Sequence, residues 1–127
     1  MRVLIADGQK DAGNSLAALV ERCGHEVLLV VGSGLEAIQG YSRLEPDLVL
    51  MDYALPRLNG ATAARMILAK HPAARIVLVT GTVRVAQLAD SGAVAILEKP
   101  VELDKLYAAL YDAAPRSPES PEPPLLE

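Results

Sequence analysis

Four polar side chains follow apolar runs of the sequence within two residues. Asp7 and Asp52 follow two of these runs, and Thr80 and Lys99 follow two others. In an open parallel sheet the carboxyl ends of the strands share one edge, and ligands bind beyond that edge. An aspartate after a strand can be only a turn former or a helix cap. One aspartate alone is therefore weak evidence, but two carboxylates, a hydroxyl and an ammonium group at one edge together predict a ligand-binding site.

The chemistry of these four groups favours a metal-assisted reaction of a phosphoryl group. A pair of carboxylates favours a divalent cation with oxygen ligands, and Mg²⁺ is the usual ion when a phosphoryl group is involved. The lysine would then neutralise a phosphoryl oxygen.

The apolar runs predict the strands that position these groups. None of the runs alternates cleanly between apolar and polar residues, which is typical of strands buried on both faces of a parallel sheet covered by helices. The five runs are Val3–Ile5, Val27–Val30, Leu48–Met51, Ile76–Val79 and Val94–Leu97.

The segments between the runs carry apolar residues at helical spacing and are predicted to be helices. Asn59–Gly60 indicates a helix start, and Gly24 and Gly92 indicate helix ends. The segment from Val83 to Asp90 has room for a helix of only about two turns. Five strand–helix units in series predict a doubly wound α/β sandwich with right-handed crossovers.

Length and composition predict one domain with a short tail. Residues 1–113 hold all the predicted strands and helices, whereas residues 114–127 contain five of the nine prolines and are predicted to be extended and disordered. A chain of 127 residues can bury a sizeable core without disulfides, and it has only one cysteine, Cys23.

Charge and hydropathy disfavour several classes of partner. The formal net charge is −4 with no basic cluster, so nucleic acid is not expected. No apolar run is long enough for a membrane span, no secretion signal is evident, and a cytoplasmic location is predicted.

The same segments resemble the receiver domain of bacterial two-component response regulators, over about residues 2–113. The most specific block runs from Pro46 to Gly60, with Asp52 four residues before Pro56 and eight before Gly60. Three other blocks contribute to the resemblance: Val3–Asp7, Ile76–Gly81 and Leu97–Pro100. The resemblance implies a flavodoxin-like sandwich with strand order 2-1-3-4-5.

The resemblance also implies a role for each site residue. Asp52 matches the aspartate that accepts a phosphoryl group from the phosphohistidine of a sensor histidine kinase or phosphotransfer protein. Lys99 matches the lysine that pairs with it, ahead of a cis peptide bond to Pro100, and Thr80 matches the switch hydroxyl. Asp7, Asp52 and the carbonyl of Ala54 would hold Mg²⁺. The chain would then be a switch in a phosphorelay, with at most self-catalysed transfer and dephosphorylation, and not an enzyme with turnover.

Three departures from the family pattern affect this interpretation. Gly8 stands where a second acidic metal ligand is usual, so Mg²⁺ binding should be weaker. Ile96 stands where the family has an aromatic switch residue, and a β-branched aliphatic side chain has restricted rotamers and no polar tip. Only 18 residues separate Thr80 from Lys99, fewer than is common. The shortage falls on the loop and fourth helix, where many receivers dimerise, so the usual mode of dimerisation is disfavoured, and a homodimer is kept as a prediction.

Two other interpretations fit parts of the sequence. A divergent receiver-like interaction module with little or no phosphorylation is the alternative suggested by the three departures. A nucleotide- or flavin-binding enzyme is suggested by the G-x-G-x-x-A pattern at residues 32–37. That pattern follows the second strand instead of the first and lacks an acidic residue about 20 positions later.

Overall fold

A five-stranded parallel sheet forms the centre of the protein, in the order β2-β1-β3-β4-β5. The computed structural model describes residues 1–81 and 84–114. The strands are β1 (Arg2–Ala6), β2 (Glu26–Val31), β3 (Leu48–Asp52), β4 (Ile76–Thr80) and β5 (Ala95–Glu98). The helices are α1 (Lys10–Arg22), α2 (Gly34–Leu44), α3 (Gly60–Lys70) and α4 (Leu103–Ala113), with a 3₁₀ helix at Val85–Ser91 between β4 and β5. The predicted flavodoxin-like fold and strand order are confirmed.

Two apolar layers enclose the sheet because successive residues of each strand point to opposite faces. Val3, Leu50 and Val77 pack on the side of α1 and α4. Leu4 and Met51 pack on the side of α2, α3 and the 3₁₀ helix. All residues of β3 and β4 are buried, which explains why the sequence of these central strands shows continuous apolar runs instead of alternation.

Helix ends lie at the residues that the sequence indicated. Asn59 precedes α3, and its side-chain oxygen accepts the N–H of Thr62 at 2.9 Å. Ser33, which was not among these indications, precedes α2, and its hydroxyl oxygen accepts the N–H of Glu36 at 3.1 Å. Gly24 and Gly92 follow helices with φ of 90° and 85°, a left-handed conformation in which a side chain would be strained.

The segment predicted as a helix from Val83 to Asp90 is a 3₁₀ helix from Val85 to Ser91. Its buried residues, Leu88 and Ser91, are three positions apart, which matches the three residues per turn of a 3₁₀ helix. Val83 and the tail from residue 115 lie outside the described residues. The division of the chain into a domain and a tail stays a prediction.

Candidate functional site

Asp7 and Asp52 lie side by side because β1 and β3 are neighbouring parallel strands that end at the same edge. Asp7 directly follows β1, and Asp52 is the last residue of β3. Both are buried, with 3% and 5% of their surface exposed. The Lys99 ammonium lies 3.0 Å from Oδ2 of Asp52 and 3.7 Å from Oδ2 of Asp7. One lysine therefore joins both carboxylates, as the convergence of strand ends predicted.

The other oxygen of each carboxylate accepts a backbone N–H from the loop that follows. Oδ1 of Asp7 accepts the N–H of Gln9 at 2.9 Å, and Oδ1 of Asp52 accepts the N–H of Ala54 at 3.2 Å. Such bonds to the residue two positions later are typical of aspartates in turns. They fix the orientation of both carboxylates before any ligand binds.

The charge of Lys99 is maintained by these carboxylates. Burial by itself lowers the pKa of the Lys99 ammonium, but the hydrogen bond and negative charge of Asp52, together with the charge of Asp7, raise it above its usual value. The ammonium group therefore stays protonated throughout the neutral pH range. The peptide bond between Lys99 and Pro100 is cis, as the resemblance implied.

Thr80 ends β4 on the opposite side of Asp52 from Asp7. It is buried, and its carbonyl accepts the N–H of Lys99 at 2.8 Å. Thr80 and Lys99 line one cavity of about 450 Å³. At the next residue, Gly81, a Cβ would lie 3.5 Å from the Lys99 side chain. The absence of a side chain at Gly81 thus leaves space beside the lysine.

The oxygen donors near Asp52 fit a hard divalent cation. Two carboxylates and the carbonyl of Ala54 are oxygen ligands of the kind Mg²⁺ prefers, and water can complete the shell. A Cβ at Gly8 would lie 3.2 Å from the Ala54 carbonyl oxygen, so a carboxylate at position 8 would extend from beside this donor. Among residues 1–81 and 84–114 no three His, Cys, Asp or Glu side chains group as a metal site. The two carboxylates and the carbonyl therefore fit Mg²⁺, with one charged ligand fewer than the pattern that has an acidic residue at position 8.

Gly60 packs against the backbone of Asp52 and Tyr53, a contact that the sequence did not reveal. Its N–H donates to the carbonyl of Tyr53 at 2.8 Å, and a Cβ at this position would clash with the backbone carbonyl of Asp52. The sequence indicated Gly60 as the start of a helix and as the end of the Pro46–Gly60 block, but not this contact. The start of α3 therefore fixes how closely the Asp52 backbone approaches that helix.

Ile96 occupies the middle of β5 and is half-buried against the apolar layer on the α3 side. Its register partner on β4 is Leu78, two residues before Thr80. The side chain thus contributes to the core, and it has no polar atom with which to signal.

Together, the parallel sheet and the lysine-bridged pair of aspartates at its carboxyl edge define a class of protein, the doubly wound α/β domains that carry a polar site at the carboxyl ends of their strands. The sequence model of the family described as "Response regulator receiver domain" matches residues 3–111. The chain belongs to the response regulator receiver domain family. Receiver domains are signalling switches of two-component systems.

Several known proteins are similar to this chain along most of its length. The chemotaxis protein CheY of Listeria monocytogenes is 28% identical over 117 residues, covering 90% of this chain and 98% of that protein. CheY of Thermotoga maritima is 30% identical over 112 residues, covering 86% and 93%. The transcriptional regulatory protein PdtaR of Mycobacterium tuberculosis is 36% identical over 117 residues, covering 91% of this chain but 57% of that protein.

A solved structure has the same arrangement. The response regulator receiver domain protein of Clostridium thermocellum matches with a TM-score of 0.82 and 26% identity, covering 88% of this chain and 92% of that one. In the part of the chain that the structure describes, no helix is long and apolar enough to cross a membrane.

Proposed function

We propose that this receiver domain accepts a phosphoryl group on Asp52 from the phosphohistidine of a sensor histidine kinase or phosphotransfer protein, and acts as a switch. The observation that carries the proposal is the position of the Asp52 carboxylate, held between the Lys99 ammonium at 3.0 Å and the Ala54 N–H at 3.2 Å. An oxygen of Asp52 would attack phosphorus, and the bond from phosphorus to the imidazole nitrogen would break. Such a transfer depends mainly on positioning and charge neutralisation.

The residues around Asp52 supply those two contributions. Lys99 stays charged and can follow the negative charge from the carboxylate to the phosphoryl oxygens. Thr80 lines the same cavity as Lys99 and can offer its hydroxyl to a phosphoryl oxygen. Gly81 leaves room for the incoming group.

Mg²⁺ would be held by Asp7, Asp52 and the carbonyl of Ala54. When bound, the ion neutralises charge on the phosphoryl oxygens. Gly8 removes one carboxylate from the usual set, so this chain should hold the ion more weakly than receivers with a second acidic residue.

The replacement Gly8→Asp is expected to raise the affinity for Mg²⁺ about tenfold, because it adds a negative ligand beside the Ala54 carbonyl. Isothermal titration calorimetry with MgCl₂ measures the change. Gly8→Asn is the matched control, since it introduces the same Cβ contact of 3.2 Å without the charge. Equal Mg²⁺ affinities for the two variants would contradict the proposed metal site.

A groove beside the site suits the phosphohistidine donor. It has a volume of about 580 Å³ and is lined by residues of α1 and of the segment after β5, together with Asp7 and Lys99. Ala12, Leu16 and Leu19 line its α1 side. A largely apolar groove lined by Lys99, which pairs with Asp52 at 3.0 Å, suits a helix of the donor protein that carries the histidine.

The replacement Ser15→Arg is expected to slow transfer from a phosphohistidine protein at least about tenfold, because Ser15 lines this groove and a long cation would block it. Transfer from acetyl phosphate should stay unchanged, since a small donor does not need the groove. Phosphorylation rates with both donors provide the measurement. Ser42→Arg on α2 is the control, and a loss of both donor reactions in Ser15→Arg would count against docking at this groove.

Incubation with acetyl phosphate and Mg²⁺ tests the proposed function itself. Intact-mass spectrometry should show the addition of one phosphoryl group, and amide NMR shifts should change around Asp52 and Thr80. A chain that stays unmodified at millimolar Mg²⁺ would contradict the proposal and favour the interaction module without phosphorylation. A homodimer stays a prediction, and analytical sedimentation of the phosphorylated and the unmodified chain can test it.

A further inference from the structure

The cavity between Thr80 and the 3₁₀ helix is lined by a second positively charged side chain besides Lys99. Its volume is about 450 Å³, and its lining includes Thr80, Lys99 and Arg84. Arg84 is the residue that precedes the 3₁₀ helix. Two positively charged residues therefore line one cavity, and one of them, Lys99, is paired with Asp52 at 3.0 Å.

Arg84 has no other evident role in the part of the chain that the structure describes. None of the ion pairs there includes it, although Glu98 lines the same cavity. Its side chain is exposed and makes no capping hydrogen bond to the 3₁₀ helix. Its backbone carbonyl accepts the N–H of Gln87 at 3.0 Å, a bond that a change of side chain does not remove.

The site becomes more negative when a phosphoryl group is attached to Asp52. Asp7 and Asp52 carry two negative charges against one positive charge on Lys99. A phosphoryl group on Asp52 replaces one carboxylate charge with up to about two negative charges. Bound Mg²⁺ would offset two of these charges. Gly8 supplies no carboxylate to hold the ion, so a protein cation near the phosphoryl group would add neutralisation that does not depend on Mg²⁺.

We infer that Arg84 binds the phosphoryl group of phosphorylated Asp52 from the Thr80 side of the site, as a second cation beside Lys99. The inference rests on the proposed function and deepens it. A guanidinium group offers several N–H donors in a fixed plane that matches phosphate oxygens, which a single ammonium cannot do. If Arg84 moves onto the phosphoryl group, the 3₁₀ helix that begins at the next residue would move with it. Phosphorylation would then change the surface of that helix without an aromatic residue at position 96.

Beryllofluoride, which mimics a phosphoryl group on aspartate, is a suitable probe. Titration of the full chain at saturating Mg²⁺, followed by amide NMR, gives its affinity. Arg84→Gln should weaken beryllofluoride binding about tenfold, and Arg84→Lys should recover part of the loss because it restores the charge but not the planar fork. Glu98→Gln should act in the opposite direction and strengthen binding, since it removes a negative charge from the same cavity.

Arg65→Gln provides the matched control, because Arg65 is an exposed residue of α3 that does not line this cavity. Equal weakening by Arg65→Gln and Arg84→Gln would show a general charge effect and overturn the inference. Unchanged binding by Arg84→Gln would overturn only the role of Arg84. Absence of beryllofluoride binding by the wild-type chain would overturn the proposed function, and the inference with it.

Discussion

Replacement of Asp52 by asparagine is expected to abolish covalent phosphorylation, with a loss of at least about a thousandfold. A carboxamide cannot form the acyl phosphate, because its oxygen is a poor nucleophile and carries no negative charge. The surrounding geometry should survive, since Asn fills the same volume and Lys99 keeps Asp7 as a partner at 3.7 Å. Intact-mass spectrometry after incubation with acetyl phosphate and Mg²⁺ gives the measurement.

The matched control is Asp112→Asn, which makes the same chemical change at an exposed position of α4. This variant should be phosphorylated like the wild type. Modification of Asp52→Asn at the wild-type rate would show that another residue is the acceptor. Thermal unfolding of both variants separates a loss of chemistry from a loss of fold.

Replacement of Gly60 by alanine is expected to destabilise the fold by about 3 kcal/mol, which is severe for a single methyl group. The added Cβ would clash with the backbone carbonyl of Asp52, so either β3 or the start of α3 must move. The φ of Gly60 is not among the positive values, so alanine could adopt its backbone conformation. The cost therefore arises from the close approach of two backbones and not from conformational strain.

Urea unfolding measures this effect through the midpoint of the transition. Gly40→Ala is the control, because Gly40 is also a buried helical glycine but its added Cβ would meet Leu4 and Leu29 at ordinary contact distances of 3.5 to 3.7 Å. That variant should be neutral or more stable by up to about 1 kcal/mol, since alanine favours a helix. Similar destabilisation in the two variants would refute the specific contact at Gly60. A shifted Asp52 backbone in Gly60→Ala should also slow phosphorylation of the folded fraction.

The proposed function and the inference about Arg84 together describe how this chain could compensate for its departures from the family pattern. Gly8 lowers the number of charged metal ligands, and Ile96 removes the aromatic switch. Arg84 would add a positive charge near the phosphoryl group, and it directly precedes the 3₁₀ helix. The response to phosphorylation would then arise in that helix.

The sequence alone determined the strands and the edge at which the site forms. Continuous apolar runs identify strands buried on both faces, and residues placed directly after parallel strands must meet at one edge, so Asp7, Asp52, Thr80 and Lys99 could be grouped without coordinates. Turn and cap residues such as Asn59 and Gly24 indicated helix ends because their preferences depend on local backbone geometry. The order of the strands came from the resemblance, since local patterns do not specify which strands are neighbours.

Only the tertiary structure decided the contacts between segments distant in sequence. The shared ion pair of Lys99 with both aspartates, the clash that a side chain at Gly60 would cause with Asp52, and the cavity shared by Arg84 and Thr80 each depend on how separate strands and loops approach one another. The 3₁₀ helix at Val85–Ser91 is a further example, because its Leu88 is buried in the apolar layer on the α3 side. Periodicity and composition record burial and local preference, whereas these features are set by distances of a few ångströms between backbones.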